Sequence, residues 1–445
     1  MERVKIFRPA SFSTIEIRRI AAAADSDYTI IYTRPTELKF VDFGLERMVQ
    51  IADDTAAAMV YSDHFNREEP APVIDYQAGS LRDDFDFGGV QMYRTAVLKA
   101  AVAGMENEYE FAGLYDLRLR ASRIGKLFHI NEFLYYELDS DKRDSGEKIF
   151  DYVNPRNRAV QVEMEKVCTE HLKAVGGYLK PVFKDVDLTE GEFEYEASVV
   201  IPCKNRVRTI GAAISSALGQ KTDFKYNVIV VDDNSTDGTV DVINSFLGDD
   251  RLVYIAQDKS YHAIGGNWNA ALHHPKCGRF ALQLDSDDLY SDENTVQKFV
   301  DAFREQNCAM VVGTYKITDF ELNTLPPGVI DHKEWTPENG RNNALRINGL
   351  GAPRGFFVQL LRKLNFPTTK YGEDYAVGLR VSREYRIGRI YDVMYFCRRW
   401  DDNSDHGLDI DKVNANNLYK DRLRSIELAA RISLNARSGK SGIQG

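Results

Sequence analysis

Apolar and polar residues follow two different rhythms along the second half of this chain. Short apolar runs have the length and β-branched content of buried strands: ASVVIP at 197–202, YNVIVV at 226–231, LVYI at 252–255, FALQL at 280–284 and AMVVG at 309–313. Between them, apolar residues recur at helical spacing, first as Ile210, Ala213, Ile214, Ala217 and Leu218. Val240, Ile243 and Leu247 follow, and then Val296, Phe299, Val300 and Phe303. This alternation predicts an α/β unit built on a mostly parallel sheet with flanking helices. Ligands of such sheets collect outside the carboxyl ends of the strands, so the segments following these runs are where chemistry is expected.

The first 190 residues carry a weaker echo of the same pattern. AAMVYSD around Ala58-Met59-Val60 resembles CAMVVGT around Ala309-Met310-Val311, and Tyr28–Tyr32 falls beside Phe280–Leu284 in nearly the same register. LRLRASRIGKLF at 117–128 pairs with VGLRVSREYRIGRIY at 377–391 once a short gap is allowed. Residues 1–150 therefore read as a smaller α/β domain, a degenerate partial copy of the later one. Residues 151–193 read as a linker, with a helix from Ala159 to Leu179 ended by the Gly176-Gly177 pair. The main domain is expected over 194–408, followed by a C-terminal helix and tail over 409–445.

Composition narrows the function classes. The 445 residues are 43% hydrophobic and 28% charged, as in globular proteins, and exceed what one ordinary core encloses. A net charge of −10 argues against a broad nucleic-acid surface. Five scattered cysteines, at 168, 203, 277, 308 and 397, suggest neither a disulfide framework nor a metal-binding CxxC, so a reducing cytoplasm is expected. No stretch has the length and apolarity of a membrane span. The helix Asn416–Arg437 mixes arginines with Leu418, Leu423, Ile426 and Ile432, and reads as a packed or solvated helix, with peripheral membrane contact as the other use of such a pattern.

Three acidic clusters stand where the ligand crevice is expected. Asp285-Ser286-Asp287-Asp288 directly follows the strand FALQL, and carboxylates there are hard donors suited to Mn²⁺ or Mg²⁺. Asp232-Asp233-Asn234-Ser235 follows YNVIVV; capping the next helix accounts for Ser235 or Asp237 but not for two preceding aspartates, leaving Asp233 to accept hydrogen bonds from a base or ribose. Gly372-Glu373-Asp374-Tyr375 offers a carboxylate able to take a proton, or merely an acidic first helical turn.

Taken in order, IPCKNRVRTI (201–210), VDDNSTDGT (231–239), GGNWNAAL (265–272), LDSDD (284–288), GEDY (372–375) and CRRWDDNS (397–404) resemble glycosyltransferase family 2, whose fold is of the GT-A type. The resemblance covers about Glu196 to Asn403. It implies a transferase of sugars from a nucleotide-sugar donor, a UDP-sugar first and GDP- or dTDP-sugars as alternatives, to a glycan or lipid-linked acceptor, in surface polysaccharide or glycoconjugate synthesis at the cytoplasmic face. It further implies that Pro202 and Asn205 line the nucleobase pocket, Asp233 binds base or ribose, and Asp285 holds the ribose side. Asp287, with Asp285 beside it, is implied as metal ligand, Asp374 as the general base of an inverting reaction, and Glu373 as its assistant. Arg399-Trp400 resembles the end of a motif of processive members, but Phe396 stands where glutamine is expected, so a non-processive enzyme is implied. His406 is a candidate to complete the metal shell.

In the N-terminal echo, Thr33-Arg34-Pro35 stands in place of Asp285-Ser286-Asp287, and Gly113-Leu114 in place of Glu373-Asp374. That half is expected to be structural or to bind acceptor. Two other readings compete with the transferase: a non-catalytic glycan-binding protein of the same fold, and a sugar-1-phosphate nucleotidyltransferase. The latter needs a glycine-rich phosphate loop where Cys203-Lys204-Asn205-Arg206 stands.

Overall fold

The computed structural model describes residues 3–138, 151–400 and 408–441. The chain forms two compact units: Met1–Leu179 with Leu345–Ile347 and Gly407–Gly445, and Lys180–Ala344 with Asn348–His406.

In the N-terminal unit the strands are β1 (Val4–Phe7), β2 (Tyr28–Tyr32), β3 (Lys39–Phe40), β4 (Met59–Asn66), β5 (Glu69–Ala71), β6 (Val90–Arg94) and β7 (Leu127–Glu137). They lie in the order β1-β2-β6-β4-β7-β3, with β5 beside β4. Both faces are covered, one core forming around Ile17, Ile20, Leu98 and Leu117 and the other around Met48, Ala52 and Leu134. The expected linker helix spans Arg158–Ala174 and belongs to this unit, burying Val167, Cys168 and Leu172. Gly176 at φ +78° ends it, in a left-handed conformation that glycine adopts without steric cost. The C-terminal helix, Ile410–Ser441, extends beyond the expected 416–437 and also belongs to this unit. Its buried arginines pair locally, Arg424 with Asp421 at 2.8 Å and Arg431 with Glu427 at 2.7 Å, which is the packed-helix reading.

The C-terminal unit carries β8 (Ala197–Cys203), β9 (Tyr226–Asp232), β10 (Leu252–Ala256), β11 (Phe280–Gln283), β12 (Leu289–Tyr290), β13 (Met310–Thr318), β14 (Thr324–Ile330), β15 (Arg354–Phe357) and β16 (Ile387–Arg398). The order is β10-β9-β8-β11-β15-β13-β16-β12, with β14 beside β13. Pairing is parallel from β10 to β11 and again between β13 and β16, but antiparallel at β15, β12 and β14, so the sheet is mixed. All five apolar runs are strands. The helix Thr295–Gln306 packs Phe303 onto Phe280 of β11, ring centroids 4.4 Å apart, and so braces the strand that precedes the acidic loop.

One sequence expectation fails in detail. The helix after β9 is only Thr239–Asn244, and Leu247 is 46% exposed, because the chain leaves the helix a turn before it. The segment 314–350 begins as the continuation of β13 and the antiparallel β14 and includes a short helix at Gly340–Asn343.

The two sheets correspond strand by strand. Replacing β8, β11, β15, β13, β16 and β12 by β1, β2, β6, β4, β7 and β3 reproduces order, direction and the side strand. Register agrees as well: Tyr28 faces Arg94 as Phe280 faces Phe357, and Met59 faces Leu127 as Met310 faces Ile387. Only β9 and β10 have no counterpart among the described residues of the first unit.

Candidate functional site

The β8 and β9 ends are stitched together before any ligand is considered. Asp232 accepts from the Ser235 amide at 3.1 Å and from its hydroxyl, and the Ser235 hydroxyl oxygen accepts from the Asn205 amide at 2.8 Å. The Asn205 side-chain oxygen accepts from the Thr236 amide at 2.8 Å, so this residue, left-handed at φ +53°, locks one loop to the other. Asp237 accepts from the amides of Val207 at 3.1 Å and Thr239 at 3.0 Å. Ser235 and Asp237 thus tie the β8 and β9 loops together as well as leading into the helix, which starts at Gly238 with no side-chain cap. Pro202 is buried in β8. Asp233 is left at the strand end with Lys204 Nζ at 3.3 Å.

The loop after β11 holds three carboxylates with different surroundings. Asp285 accepts both from Gln283 Nε2, at 2.9 and 3.1 Å, and its amide donates to Tyr395 Oη at 2.8 Å. Asp287 accepts from Trp400 Nε1 at 3.2 Å and has Arg206 Nε at 3.8 Å. Asp288 is buried and accepts from the Arg398 amide at 2.8 Å. Burial, then repulsion by Asp287 and Asp285, pushes the Asp288 carboxyl well above the usual range. Burial raises Asp285 too, with Gln283 opposing and Asp287 adding to the rise.

The third cluster opens the helix Glu373–Ser382. Gly372, at φ +76°, supplies the turn, and the helix Ala263–His273 packs close enough that a Cβ on Gly265 would meet the Pro367 carbonyl oxygen at 1.9 Å. Glu373 and Asp374 are adjacent but chemically unlike. Glu373 is 7% exposed, and burial, with Asp374 next to it, pushes its carboxyl up to about 8, so near neutral pH it holds a proton. Asp374 is more exposed and forms an ion pair with Arg354 of β15.

Arg354 joins the clusters. Its Nη1 donates to Gln283 Oε1 at 2.8 Å, its Nε to the Leu350 carbonyl at 2.6 Å, and Nη2 faces Asp374. Since Gln283 holds Asp285 from its other end, one continuous chain runs Asp285–Gln283–Arg354–Asp374. The acidic loop and the helix start therefore meet across β11 and β15. Gln283 and Arg354 were missed in the sequence reading; the available signal was a polar residue inside each of the apolar runs FALQL and RGFF. Trp400, flagged only through Arg399-Trp400, is tied directly to Asp287. His406 lies outside the described residues.

Among the described residues no three acidic, histidine or cysteine side chains form a complete metal-binding group. Asp285, Asp287 and Asp288 offer carboxylate oxygens, hard donors of the kind divalent cations take, and burial first, then repulsion among them, raises Asp285 and Asp288.

The C-terminal α/β sheet thus gathers carboxylates at and beside the ends of its strands. Residues 198–364, within the C-terminal unit, match the model of Glycosyl transferase family 2. Over 198 residues it is 28% identical to the UDP-Glc:alpha-D-GlcNAc-diphosphoundecaprenol beta-1,3-glucosyltransferase WfgD of Escherichia coli, covering 44% of this chain and 74% of that relative. It is 26% identical over 210 residues to the Poly(ribitol-phosphate) beta-glucosyltransferase of Bacillus spizizenii, covering 45% of this chain and 32% of that one. Among solved structures, S. aureus TarS 1-349 in complex with UDP-GlcNAc matches with a TM-score of 0.43 at 23% identity, over 52% of this chain and 66% of TarS 1-349.

Proposed function

We propose that the C-terminal unit transfers a glycosyl group from a nucleotide sugar to an acceptor hydroxyl with inversion, and that the N-terminal unit is a partial duplicate without catalytic function. The observation that supports the transfer reading most is the chain Asp285–Gln283–Arg354–Asp374, which links acids remote in sequence.

In this reading Asp233 accepts from the base or ribose, beside a wall that includes Pro202, while Asn205 fixes the loop. Asp285 orients the ribose side of the donor, and Asp287 with Asp285 would hold Mn²⁺ or Mg²⁺. Such a cation, shared with the donor's diphosphate, would neutralise charge on the leaving group. The acceptor oxygen attacks the anomeric carbon, the bond from that carbon to the diphosphate oxygen breaks, and the acceptor proton passes to Asp374. The products are the inverted glycoside and a nucleoside diphosphate. Protonated Glu373 serves as a donor and spacer beside the base.

A UDP-sugar is the first donor to test, and the Escherichia coli relative, named for a diphosphoundecaprenol-linked acceptor, supports a lipid-linked glycan as acceptor. No helix among the described residues is long and apolar enough to cross a membrane, so such an acceptor would be met by peripheral contact at the cytoplasmic face. The test is release of nucleoside diphosphate from UDP-, GDP- and dTDP-sugars, with and without Mn²⁺ or Mg²⁺. Metal-dependent release from one donor class is the expected result; binding without release across all acceptors tried would leave only a glycan-binding role.

A further inference from the structure

The N-terminal unit carries a cavity of about 240 Å³ that opens to the surface. Thr33, Gln91 and Leu114 line it. By strand register and motif alignment these stand where the C-terminal unit has Asp285, Arg354 and Asp374. The acids and the arginine that link them are gone, yet the hollow remains. It is smaller than the roughly 300–1,000 Å³ of pockets for drug-sized ligands, and of a size for one sugar ring.

Its wall is aromatic, with Phe12, Phe85, Phe87, Phe111 and Tyr115 contributing rings. Its charges are mostly spent: Asp83 is paired with Arg346 at 2.7 Å, and Arg34 with Glu137 at 3.1 Å and Asp86 at 3.7 Å. Arg118 differs. It is 4% exposed, lines the cavity, and pairs with no carboxylate among the described residues. Nη2 donates to the Arg82 carbonyl at 3.1 Å, but buried Nε has no hydrogen-bond partner. The rings of Tyr115, Phe87 and Tyr76 lie 4.7, 5.5 and 5.9 Å from its guanidinium carbon. Rings stabilise the cation without using its N–H donors. A buried cation that lines a hollow and pairs with no carboxylate among the described residues is matched by an anionic ligand.

We propose that this cavity binds a single acidic sugar unit of a glycan, a uronate or a phosphorylated sugar, with Arg118 meeting the acidic group and the rings packing on the sugar face. That the ligand is a saccharide rests on the transferase reading of the other unit; the charge preference rests on Arg118 alone. The site holds glycan without transforming it.

Calorimetric titration of the full chain with glucuronate, glucose 6-phosphate, glucose and inorganic phosphate tests this. One or both acidic sugars bind, identifying the uronate or phosphate source, while glucose and bare phosphate bind at least about tenfold more weakly, the scale of one hydrogen bond to a charged group. Arg118→Gln weakens the acidic sugar by about tenfold or more. Phe12→Ala, at a ring 38% exposed and therefore safe for folding, also weakens it and decides the matter if the Arg118 variant does not fold. Asp374→Asn leaves the titration unchanged, so failure of the transferase reading appears as lost turnover and failure of this one as lost heat. No heat with either acidic sugar, equal binding of glucose or of bare phosphate, or indifference to both cavity variants overturns the proposal.

Discussion

The two units share a strand order and differ at the ends of the same strands. Where the C-terminal unit places Asp285, Gln283, Arg354 and Asp374 in one hydrogen-bonded chain, the N-terminal unit places Thr33, Ile31, Gln91 and Leu114. No titratable side chain survives among these four. The sheet is held by features common to both units: a central strand buried on both faces, a helix ahead of the antiparallel pair, and a long parallel partner for β4 or β13. Carboxylates contribute little to that framework and, when buried, oppose it, as the raised Asp285, Asp288 and Glu373 testify. A framework of this strand order therefore keeps its shape without such acids, whereas carrying them at that cost points to use.

The comparison breaks most sharply at Asp374. Asp374→Asn should lower turnover by roughly 10²–10⁴, the usual size of a general-base effect, with donor binding kept. The double variant Asp287→Asn/Asp374→Asn should leave no turnover above background; a residual metal-dependent rate would mean that the N-terminal unit has a transfer site of its own.

Next in size is the metal-assisted binding of nucleotide. Mn²⁺ with UDP at about 100 times its Kd should stabilise the chain by roughly 2.7 kcal/mol in the unit that binds it. Asp287→Asn should remove most of the metal-dependent part of the thermal shift. A shift equally large in that variant would take Asp287 out of the metal's shell.

Arg354→Met comes third. It leaves Asp374, Gln283 and the Leu350 carbonyl without their shared donor, an expected cost of about 1–3 kcal/mol in urea unfolding. It should also slow turnover while leaving KM for the donor nearly unchanged, since the arginine acts through the position of Asp374. A normal rate in a folded Arg354→Met chain would separate the two acidic clusters functionally.

How far the sequence disclosed all this depends on which interactions are local. Strands and flanking helices were legible because each signals itself through its own periodicity, and Asp233, Asp285, Asp287, Glu373 and Asp374 could be singled out as candidates because they sit at the ends of such elements. Gln283 and Arg354 were not, since their meaning lies in a pairing across β11 and β15 that no local pattern encodes. Asn205 resembled a pocket residue, but its side chain is engaged by the Thr236 amide, again a contact between remote loops. The helix carrying Ile243 was overextended to Leu247 because apolar spacing continued after the backbone had turned away.

The smallest effect concerns Glu373, whose counterpart Gly113 has nothing to titrate. Its folded carboxyl is raised to about 8, against about 4.5 when unfolded. Below about 4.5 both states are protonated and its contribution is fully present. As pH rises from there to about 8 the unfolded chain loses the proton while the folded one keeps it, so stability falls, by at most about 1.4 kcal/mol per pH unit. Asp285 and Asp288, also raised, act with the same sign, which is why the difference between wild type and Glu373→Gln is the informative quantity. Unfolding by urea at pH 5, 6, 7 and 8 should give a gap that grows in favour of the variant as pH rises and levels off near 8. A gap that is flat across this range would mean that Glu373 ionises normally in the folded chain, and its reading as a protonated neighbour of Asp374 would be lost.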